Sequence, residues 1–327
     1  MLRQISLLAA AALLGISPAL AEGPSVPAVD VKTLTAPDIS AAPATPDGDM
    51  IRYGHRLITE TFAVIGPEVS DPVMRYAGNN LSCQSCHVNA ASQPYAMPFT
   101  GIWGQFPQYR GREGRVSTME DRINGCMERS MNGKALPLAS REMIAIMAYI
   151  KFMSQAVPVG ARLTGAGTLA IREPDRAADP KRGADIFAAN CVVCHQADGQ
   201  GQRNGEKGDA KGYLYPPLWG PDSFNNGAGT GRLLTAAAFI KANMPLGTTW
   251  ENSVLSDEDA YDVAAYVISH DRPAKPGLDK DYPTLTQKPV DAPYGPYADT
   301  LPPEQHKFGP FGPIRAAIKA LTAKPAQ

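Results

Sequence analysis

Cys83-Gln84-Ser85-Cys86-His87 and Cys191-Val192-Val193-Cys194-His195 are two copies of one pattern, 108 residues apart (83 to 191). Cys-x-x-Cys followed directly by His is typical of covalent c-type haem attachment. The two thiols bind the vinyl groups of the haem, and the adjacent imidazole lies where it can bind the iron. The sequence therefore predicts two covalently bound haem c groups. Their predicted attachment and proximal-ligand residues are Cys83, Cys86, His87, Cys191, Cys194 and His195.

Length and composition favour two small domains joined by many loops. The chain has 327 residues, with 30 glycines and 30 prolines, and a net charge of −1. That length fits about two domains, and the balanced charge offers no basic surface for nucleic acid. We predict an all-α fold with two cytochrome c-like haem domains, Pro/Gly-rich loops and extended terminal arms.

The first residues read as an export signal. Arg3 precedes an apolar run at 5–16, and Ala19-Leu20-Ala21 has the small-residue pattern of a cleavage site. The apolar run is too short to span a membrane, although an uncleaved anchor is the alternative. No later run of about 18 apolar residues follows. We predict cleavage after Ala21, a periplasmic location and no membrane span in the mature chain.

The pattern of helices repeats around each haem motif. Helices are expected at 51–64 and 181–190 before the motifs, and at 140–154 and 257–269 after them. Both closing helices carry Ala-Tyr followed by Ile or Val, at 148–150 and 265–267. The predicted segments are a signal peptide (1–21), an N-terminal arm (22–49), a first cytochrome c domain (50–156), a linker (157–179), a second cytochrome c domain (180–272) and a Pro-rich C-terminal extension (273–327).

The number of methionines in the second half of the chain predicts the second iron ligand of the second domain. Met244 is the only methionine among residues 157–327, and it precedes Pro245 in a segment leading to the closing helix. A Met/His pair is a common cytochrome c ligation. The alternatives are that Met244 only fills the core, or that His270 binds the iron.

Counting does not select a ligand in the first domain, where seven methionines follow the haem motif. Cys126 is the one cysteine outside the haem motifs, and a thiolate can bind haem iron. If this segment is helical, Arg122, Cys126 and Ser130 share one face. A nearby guanidinium lowers the pKa of a thiol and favours the thiolate. Met127 and Met131 remain alternative ligands, and a buried free cysteine remains an alternative role.

The same region carries a resemblance to a known family. Tyr109-Arg110-Gly111-Arg112-Glu113, Glu120-Asp121-Arg122-Ile123 and the run Cys126-Met127-Glu128-Arg129-Ser130-Met131-Asn132-Gly133 resemble dihaem thiosulfate dehydrogenase, also called tetrathionate synthase. Asn243-Met244-Pro245 extends the resemblance, which covers about residues 50–272. It implies that the first haem is the active site, with His87 and Cys126 as iron ligands. It also implies that Arg112, Arg122 and Ser130 line the substrate pocket.

The resemblance implies a reaction in which two thiosulfate ions join to form tetrathionate and release two electrons. Some family members place Lys before the methionine of the second haem, whereas this chain has Asn243, which favours Met244 as the ligand. The implied partners are thiosulfate, tetrathionate and a small soluble electron-transfer cytochrome. The alternatives are a dihaem electron carrier without its own substrate, or a haem subunit of a thiosulfate-oxidising multienzyme complex. Because four acidic residues are interleaved with the arginines of 110–129, a solvated surface is the alternative reading of that charge.

Overall fold

The computed structural model of the chain describes residues 26–323, which are mainly helical. The predicted signal peptide (1–21) lies outside the described residues. None of the helices within 26–323 has the length and apolar character needed to cross a membrane. The α-helices are α1 (Pro46–Thr59), α2 (Thr61–Val64), α3 (Val88–Ala91), α4 (Met119–Met127), α5 (Arg141–Met153), α6 (Pro180–Asn190), α7 (Val192–His195), α8 (Leu233–Asn243), α9 (Asp257–Ser269), α10 (Pro303–Phe308) and α11 (Gly312–Ala323).

Six strands of two or three residues form three two-stranded sheets within the described residues. They do not change the all-α class, which is confirmed. The first sheet pairs the N-terminal arm in parallel with the linker, and the other two are local antiparallel pairs. The strands are β1 (Ala28–Asp30), β2 (Gln108–Arg110), β3 (Arg115–Ser117), β4 (Arg162–Thr164), β5 (Gln202–Arg203) and β6 (Tyr213–Tyr215), paired as β1·β4, β2·β3 and β5·β6.

The first helix begins five residues earlier than the sequence pattern predicts. The Thr45 hydroxyl accepts a hydrogen bond from the Gly48 amide at 3.3 Å, and Pro46 occupies the first helical position. Both features favour a helix start, but they lie before the first apolar residues of the periodic pattern. The backbone of Glu60 then departs from helical geometry and separates α1 from α2.

The helices α1 and α5 of the first domain cross in direct backbone contact. A Cβ atom at Gly54 would lie 2.0 Å from the carbonyl oxygen of Ala145 and 2.8 Å from the Cβ atom of Tyr149. Only glycine permits this approach, which explains a residue that is otherwise unfavourable inside a helix.

The helices α6 and α9 repeat the same crossing in the second domain. A Cβ atom at Gly183 would lie 2.1 Å from the carbonyl oxygen of Asp262 and 2.9 Å from the Cβ atom of Tyr266. In both domains the tyrosine belongs to the Ala-Tyr-Ile/Val repeat. The predicted repetition of the plan is therefore confirmed in the geometry of the two helix pairs.

The helix α8 was not predicted from the sequence. It is rich in alanine, and its buried residues are spread around the helix rather than confined to one face, because α8 packs inside the second domain against α9. Its first turn also lacks a side-chain cap, since Arg232 occupies the N-cap. Neither periodicity nor a capping residue therefore marks this helix in the sequence.

The two domains contact each other through buried polar side chains. Asn79 of the first domain donates to the carbonyl oxygen of Ser223 at 3.1 Å, and Asn225 of the second domain donates to the carbonyl oxygen of Glu128 at 2.9 Å. The C-terminal extension also returns to the first domain, where the amide of Tyr282 donates to the carbonyl oxygen of Arg112 at 2.8 Å. These contacts create a junction at which both domains and the extension meet.

Candidate active site

The first haem motif forms a 3₁₀ turn at Cys83–Ser85, and His87 follows it. The Nδ1 atom of His87 lies 2.6 Å from the carbonyl oxygen of Met97. Because a carbonyl oxygen only accepts, the ring proton belongs on Nδ1, and the Nε2 lone pair is left for a metal. This arrangement fits the proximal ligand of a covalently attached haem.

The second motif has the same arrangement. His195 ends α7, and its Nδ1 atom lies 2.8 Å from the carbonyl oxygen of Pro216. Burial lowers the pKa of His195, although the bond to Pro216 acts in the opposite direction. The imidazole is therefore kept neutral, as a metal ligand must be. The donor sets of both motifs fit haem c.

The pKa of Cys126 is shifted in the opposite direction from the pKa values of Cys83, Cys86 and Cys191. Burial raises the pKa of Cys83 to about 11, of Cys86 to about 12 and of Cys191 to about 11. Burial also acts upward on Cys126, but the charge of Arg122 and the interactions with the neighbouring imidazole outweigh it and lower the pKa to about 6. The guanidinium Nη1 atom lies 2.6 Å from the sulfur. Cys126 is thus disposed to be a thiolate near neutral pH.

A cavity of about 390 Å³ lies at the junction of the two domains and the extension. Because Cys86, His87 and Cys126 line it, the cavity includes the space that the first haem would occupy. Its lining brings together the predicted iron ligands and pocket residues of the first site, namely His87, Arg112, Arg122, Cys126 and Ser130. Of the two attachment cysteines, Cys86 lines the cavity and Cys83 does not. Residues of the second domain and Tyr282 of the extension line the same cavity, and the sequence offers no local signal for them.

The two alternative ligands of the first domain lie elsewhere. Met127 and Met131 are 2% and 3% exposed and belong to the hydrophobic core of the first domain. Neither lines the cavity. Met97 does line it, but its carbonyl group holds His87. The placement therefore favours Cys126 over the two methionines.

The expectation that Ser130 shares a helical face with Cys126 is wrong in detail. The helix α4 ends at Met127, and the chain turns before Ser130, with the amide of Met131 donating to the carbonyl oxygen of Cys126 at 3.0 Å. Asn79 donates to the carbonyl oxygen of Ser130 at 2.9 Å and holds this turn in place. Ser130 reaches the cavity through that turn rather than through helical spacing.

The arginines between 110 and 129 also fall into two groups. Three of them are paired with carboxylates: Arg110 with Glu113 at 2.9 Å, Arg115 with Asp121 at 2.9 Å and Arg129 with Asp281 at 2.7 Å. Arg112 and Arg122 form no ion pair with a carboxylate in the described part of the chain. Arg112 instead donates to Tyr282 Oη at 3.3 Å and to the carbonyl oxygen of Gly227 at 3.0 Å. Two of the interleaved acids and one acid of the C-terminal extension therefore neutralise the other arginines and leave these two positive in the cavity.

Comparisons with known proteins agree with this site. The family described as SoxA/TsdA, cytochrome c domain matches residues 75–159, and the cytochrome c family matches residues 180–271. Thiosulfate dehydrogenase from Allochromatium vinosum is 44% identical over 248 residues, which are 73% of this chain and 84% of that protein. The chain belongs to the thiosulfate dehydrogenase family.

Two further relatives of the thiosulfate dehydrogenase family extend the comparison. Thiosulfate dehydrogenase from Psychrobacter arcticus is 40% identical over 253 residues, covering 77% of this chain and 72% of that protein. The structure of thiosulfate dehydrogenase (TsdBA) from Marichromatium purpuratum in its as-isolated form is 34% identical, with a TM-score of 0.68. The match covers 81% of this chain and 54% of that chain.

In this member of the thiosulfate dehydrogenase family, the predicted second iron ligand of the second domain is a methionine, whereas that of the first domain is a cysteine. Met244 is partly buried at the C-terminal end of α8. The alternative ligand, His270, stacks on Trp219 with ring centroids 3.9 Å apart, and its Nδ1 lies 2.8 Å from the carbonyl oxygen of Tyr266. The pairing of Met244 with His195 across an iron stays a prediction.

Asn243, the residue before Met244, is tied to the first domain. It is buried, its side-chain oxygen accepts from Gln93 at 2.6 Å, and its amide nitrogen donates to the carbonyl oxygen of Tyr95 at 3.3 Å. In this member of the family, the position that the resemblance associates with Lys therefore holds a fully engaged amide. This contact joins the segment of Met244 to the segment around Tyr95. The same segment contains Met97, whose carbonyl oxygen lies 2.6 Å from His87 Nδ1.

Proposed function

We propose that this protein is a periplasmic dihaem cytochrome c that interconverts thiosulfate and tetrathionate. Two thiosulfate dianions form one sulfur–sulfur bond and release two electrons, which gives one tetrathionate dianion. The observation that carries the proposal is the cavity in which Cys126 faces two arginines without carboxylate partners. An electron carrier without a substrate has no need for this arrangement.

Two haem c groups would be held by the two Cys-x-x-Cys-His motifs. His87 and Cys126 would bind the first iron, and His195 and Met244 the second. Each haem supplies one-electron redox chemistry, so that the pair can accept both electrons of the reaction. A methionine ligand raises the potential of a haem, and the two ligand sets therefore favour electron flow from the first domain to the second.

The positive charges of the arginines would offset the electrostatic repulsion between two thiosulfate dianions in the cavity. The planar guanidinium groups of Arg112 and Arg122 present forked donors that suit sulfonate oxygens. Both are already fixed, Arg112 by Tyr282 and Arg122 by the sulfur of Cys126, so little reorganisation is needed when charge gathers in the cavity. Ser130 lines the same cavity and adds a hydroxyl donor.

The proposed location and partner follow from the sequence. The export signal predicted at 1–21 places the mature protein in the periplasm, where haem c is attached. A small soluble electron-transfer cytochrome is the proposed acceptor of the two electrons. Nothing in the proposal requires a membrane-bound partner.

A steady-state assay of the purified dihaem protein with thiosulfate and ferricyanide tests the function. We expect ferricyanide reduction that depends on thiosulfate and yields one tetrathionate per two electrons. A pure electron carrier would show no such turnover. A haem subunit of a multienzyme complex would show turnover only after its partner subunit is added.

A further inference from the structure

The segment 93–97 of the first domain contacts the predicted ligand regions of both haems. The carbonyl oxygen of Met97 lies 2.6 Å from His87 Nδ1, and the carbonyl oxygen of Tyr95 accepts a hydrogen bond from the side-chain amide of Asn243 at 3.3 Å. The segment is therefore bonded to the predicted proximal ligand of the first haem. It is also bonded to the residue that directly precedes the predicted methionine ligand of the second.

The contact at Asn243 is buried and engages both groups of its side-chain amide. Asn243 is 3% exposed, and its oxygen accepts from Gln93 at 2.6 Å while its nitrogen also donates to the carbonyl oxygen of Phe239 at 3.0 Å. Asn89 donates in turn to the side-chain oxygen of Gln93 at 2.7 Å. Because unpaired buried polar groups are unfavourable, this amide cannot turn away at low cost. Asn243 thus fixes the start of the Met244 segment against the first domain.

The backbone of the segment 93–97 is strained at two positions. Tyr95 and Met97 have φ angles of 59° and 54°, in the left-handed region that non-glycine residues rarely adopt. They are the two residues whose carbonyl oxygens face Asn243 and His87, and their amides donate to carbonyl oxygens of the linker. Such conformations persist only where surrounding contacts hold them. Loss of one contact should therefore let the segment relax and move both carbonyl oxygens.

We propose that Gln93 and Asn243 form a bridge that couples the two haem sites, with both residues acting as positioning residues for electron transfer. The bridge rests on the ligand sets of the proposed function. A hydrogen bond from the ring N–H of a ligating histidine makes the ring a stronger donor, which favours ferric iron and lowers the potential. A firmly held methionine raises the potential of the other haem. The bridge thus keeps the first potential below the second, and coupling of this kind travels through packed, hydrogen-bonded segments.

Two variants break the bridge from opposite sides. Gln93→Met keeps the length of the side chain and removes its amide, and Asn243→Leu removes the other amide at similar size. Each has a matched control. Asn80→Leu removes a different buried amide that joins the domains, since Asn80 is 4% exposed and donates to Asp222 at 3.1 Å. Thr248→Val changes the same second-domain segment as Asn243, at a hydroxyl that makes no hydrogen bond within the described residues.

The experiment is a redox titration of the dihaem protein followed by low-temperature electron paramagnetic resonance, which gives each haem a potential from its own signal. No thiosulfate is present, so the result does not depend on turnover. In both bridge variants we expect a higher potential of the first haem and a lower potential of the second. Together these shifts should change the equilibrium constant for electron transfer between the haems roughly tenfold, or about 59 mV. The double variant should add little to either single variant, because all three lose the same bond.

A shift across the domain junction separates coupling from a local structural role. Gln93→Met should shift the second haem and Asn243→Leu the first, whereas Asn80→Leu should leave the second haem unchanged and Thr248→Val the first. Unchanged potentials across the junction, or equal shifts in the controls, would overturn the bridge. If Asn243→Leu does not fold, Gln93→Met decides alone, since Gln93 is only partly buried. A wild type without a His/Met signal would overturn the ligand assignment and the bridge together.

Discussion

The two cytochrome c domains share a framework and differ in the residues around their predicted iron sites. In each, a helical glycine meets a closing helix at backbone contact distance, and a backbone carbonyl orients the proximal histidine. The first domain then places Cys126 and two arginines without carboxylate partners in a cavity. The second places a partly buried methionine beyond α8 and packs His270 against Trp219.

This difference indicates that the residues predicted to attach a haem are separate from those proposed to carry out the reaction. The shared parts, namely the motif, one carbonyl and one helix crossing, each lie within a single domain. The proposed chemistry of the first domain depends on residues from three regions, since Tyr282 of the extension and Arg232 of the second domain complete its cavity. A site of this kind belongs to the assembly of the whole chain rather than to one cytochrome domain.

Replacing Cys126 by Met should have the largest effect on activity, because it gives the first domain the ligand type predicted for the second. We expect the potential of the first haem to rise. Loss of a residue that contacts a metal ligand without binding the metal typically costs roughly 10–100-fold in activity. Because Cys126→Met changes the predicted ligand itself, we expect thiosulfate turnover to fall by more than that. Redox titration measures the potential, and the steady-state assay measures the turnover. Met127→Leu, a core change at the next residue, is the control. Unchanged turnover in Cys126→Met would contradict the assignment of Cys126.

Arg122→Gln should have the next largest effect. It removes the guanidinium that lies 2.6 Å from the Cys126 sulfur while leaving the cysteine in place. We expect thiosulfate turnover to fall roughly 10–100-fold. Arg115→Gln is the matched control, because Arg115 pairs with Asp121 at an exposed position outside the cavity. Its turnover should match the wild type, and equal losses in the two variants would indicate a general charge effect.

The acid stability of the two domains should differ because Asp262 occupies the crossing position that Ala145 holds in the first domain. Burial acts to raise the pKa of Asp262, but hydrogen bonds from Arg176, Arg182 and the amide of Asp179 lower it below its usual value of 3.8. The stabilisation from ionised Asp262 is therefore present above about pH 4 and is lost as the pH falls through the lowered pKa.

Asp262→Asn should remove this pH dependence and reduce the free energy of unfolding at pH 7 by about 1.5–3 kcal/mol. Thermal unfolding monitored between pH 2 and 7 checks both expectations, with Ala145→Ser in the first domain as the control. An unchanged acid-unfolding profile in Asp262→Asn would show that this cluster does not set the acid stability of the second domain.

Gly54→Ala and Gly183→Ala test the shared framework. Each added methyl group would lie within about 2 Å of a carbonyl oxygen in the crossing helix, so the helices must separate. We expect both variants to lose about 1–3 kcal/mol of unfolding free energy, and by similar amounts. Gly312→Ala in α11 has open space around its added methyl and serves as the control. A loss in only one domain would mean that the crossings are not equivalent.

The smallest effect on turnover is expected from the ligand of the second domain. Met244→His should lower the potential of the second haem and slow thiosulfate turnover less than either first-domain variant. His270→Gln should leave the absorption spectrum of the second haem unchanged, because the ring is engaged with Trp219 and Tyr266. Redox titration of both variants checks this. A spectral change in His270→Gln alone would make His270 the ligand.

The sequence predicts local features of this protein well. The closing helices are confirmed at Arg141–Met153 and Asp257–Ser269, because each depends on an apolar pattern among residues a few positions apart. Haem attachment at the two motifs stays a prediction. The start of α1 was missed because Thr45 and Pro46 precede the apolar pattern. The helix α8 was missed because an alanine-rich helix buried on several sides shows no periodicity.

The cavity could be predicted only in part. The residues alone suggest Cys126 with Arg122 and Ser130, and the family resemblance favours Cys126 as the ligand and adds Arg112. All four are close in sequence. The lining from the second domain was missed because Thr230 and Arg232 reach the cavity only through the packing of one domain on the other. The anchoring of Arg129 by Asp281 and of Arg232 by Asp291 likewise depends on the path of the C-terminal extension. No local pattern encodes a contact of that kind.

Low-temperature electron paramagnetic resonance of the oxidised wild-type protein tests most directly whether Cys126 binds the first iron. Two low-spin ferric haems should be present in equal amounts, one with the spectrum of His/thiolate ligation and one with that of His/Met ligation. The thiolate signal should disappear in Cys126→Met while the second signal stays unchanged. Two His/Met signals in the wild type would contradict the account.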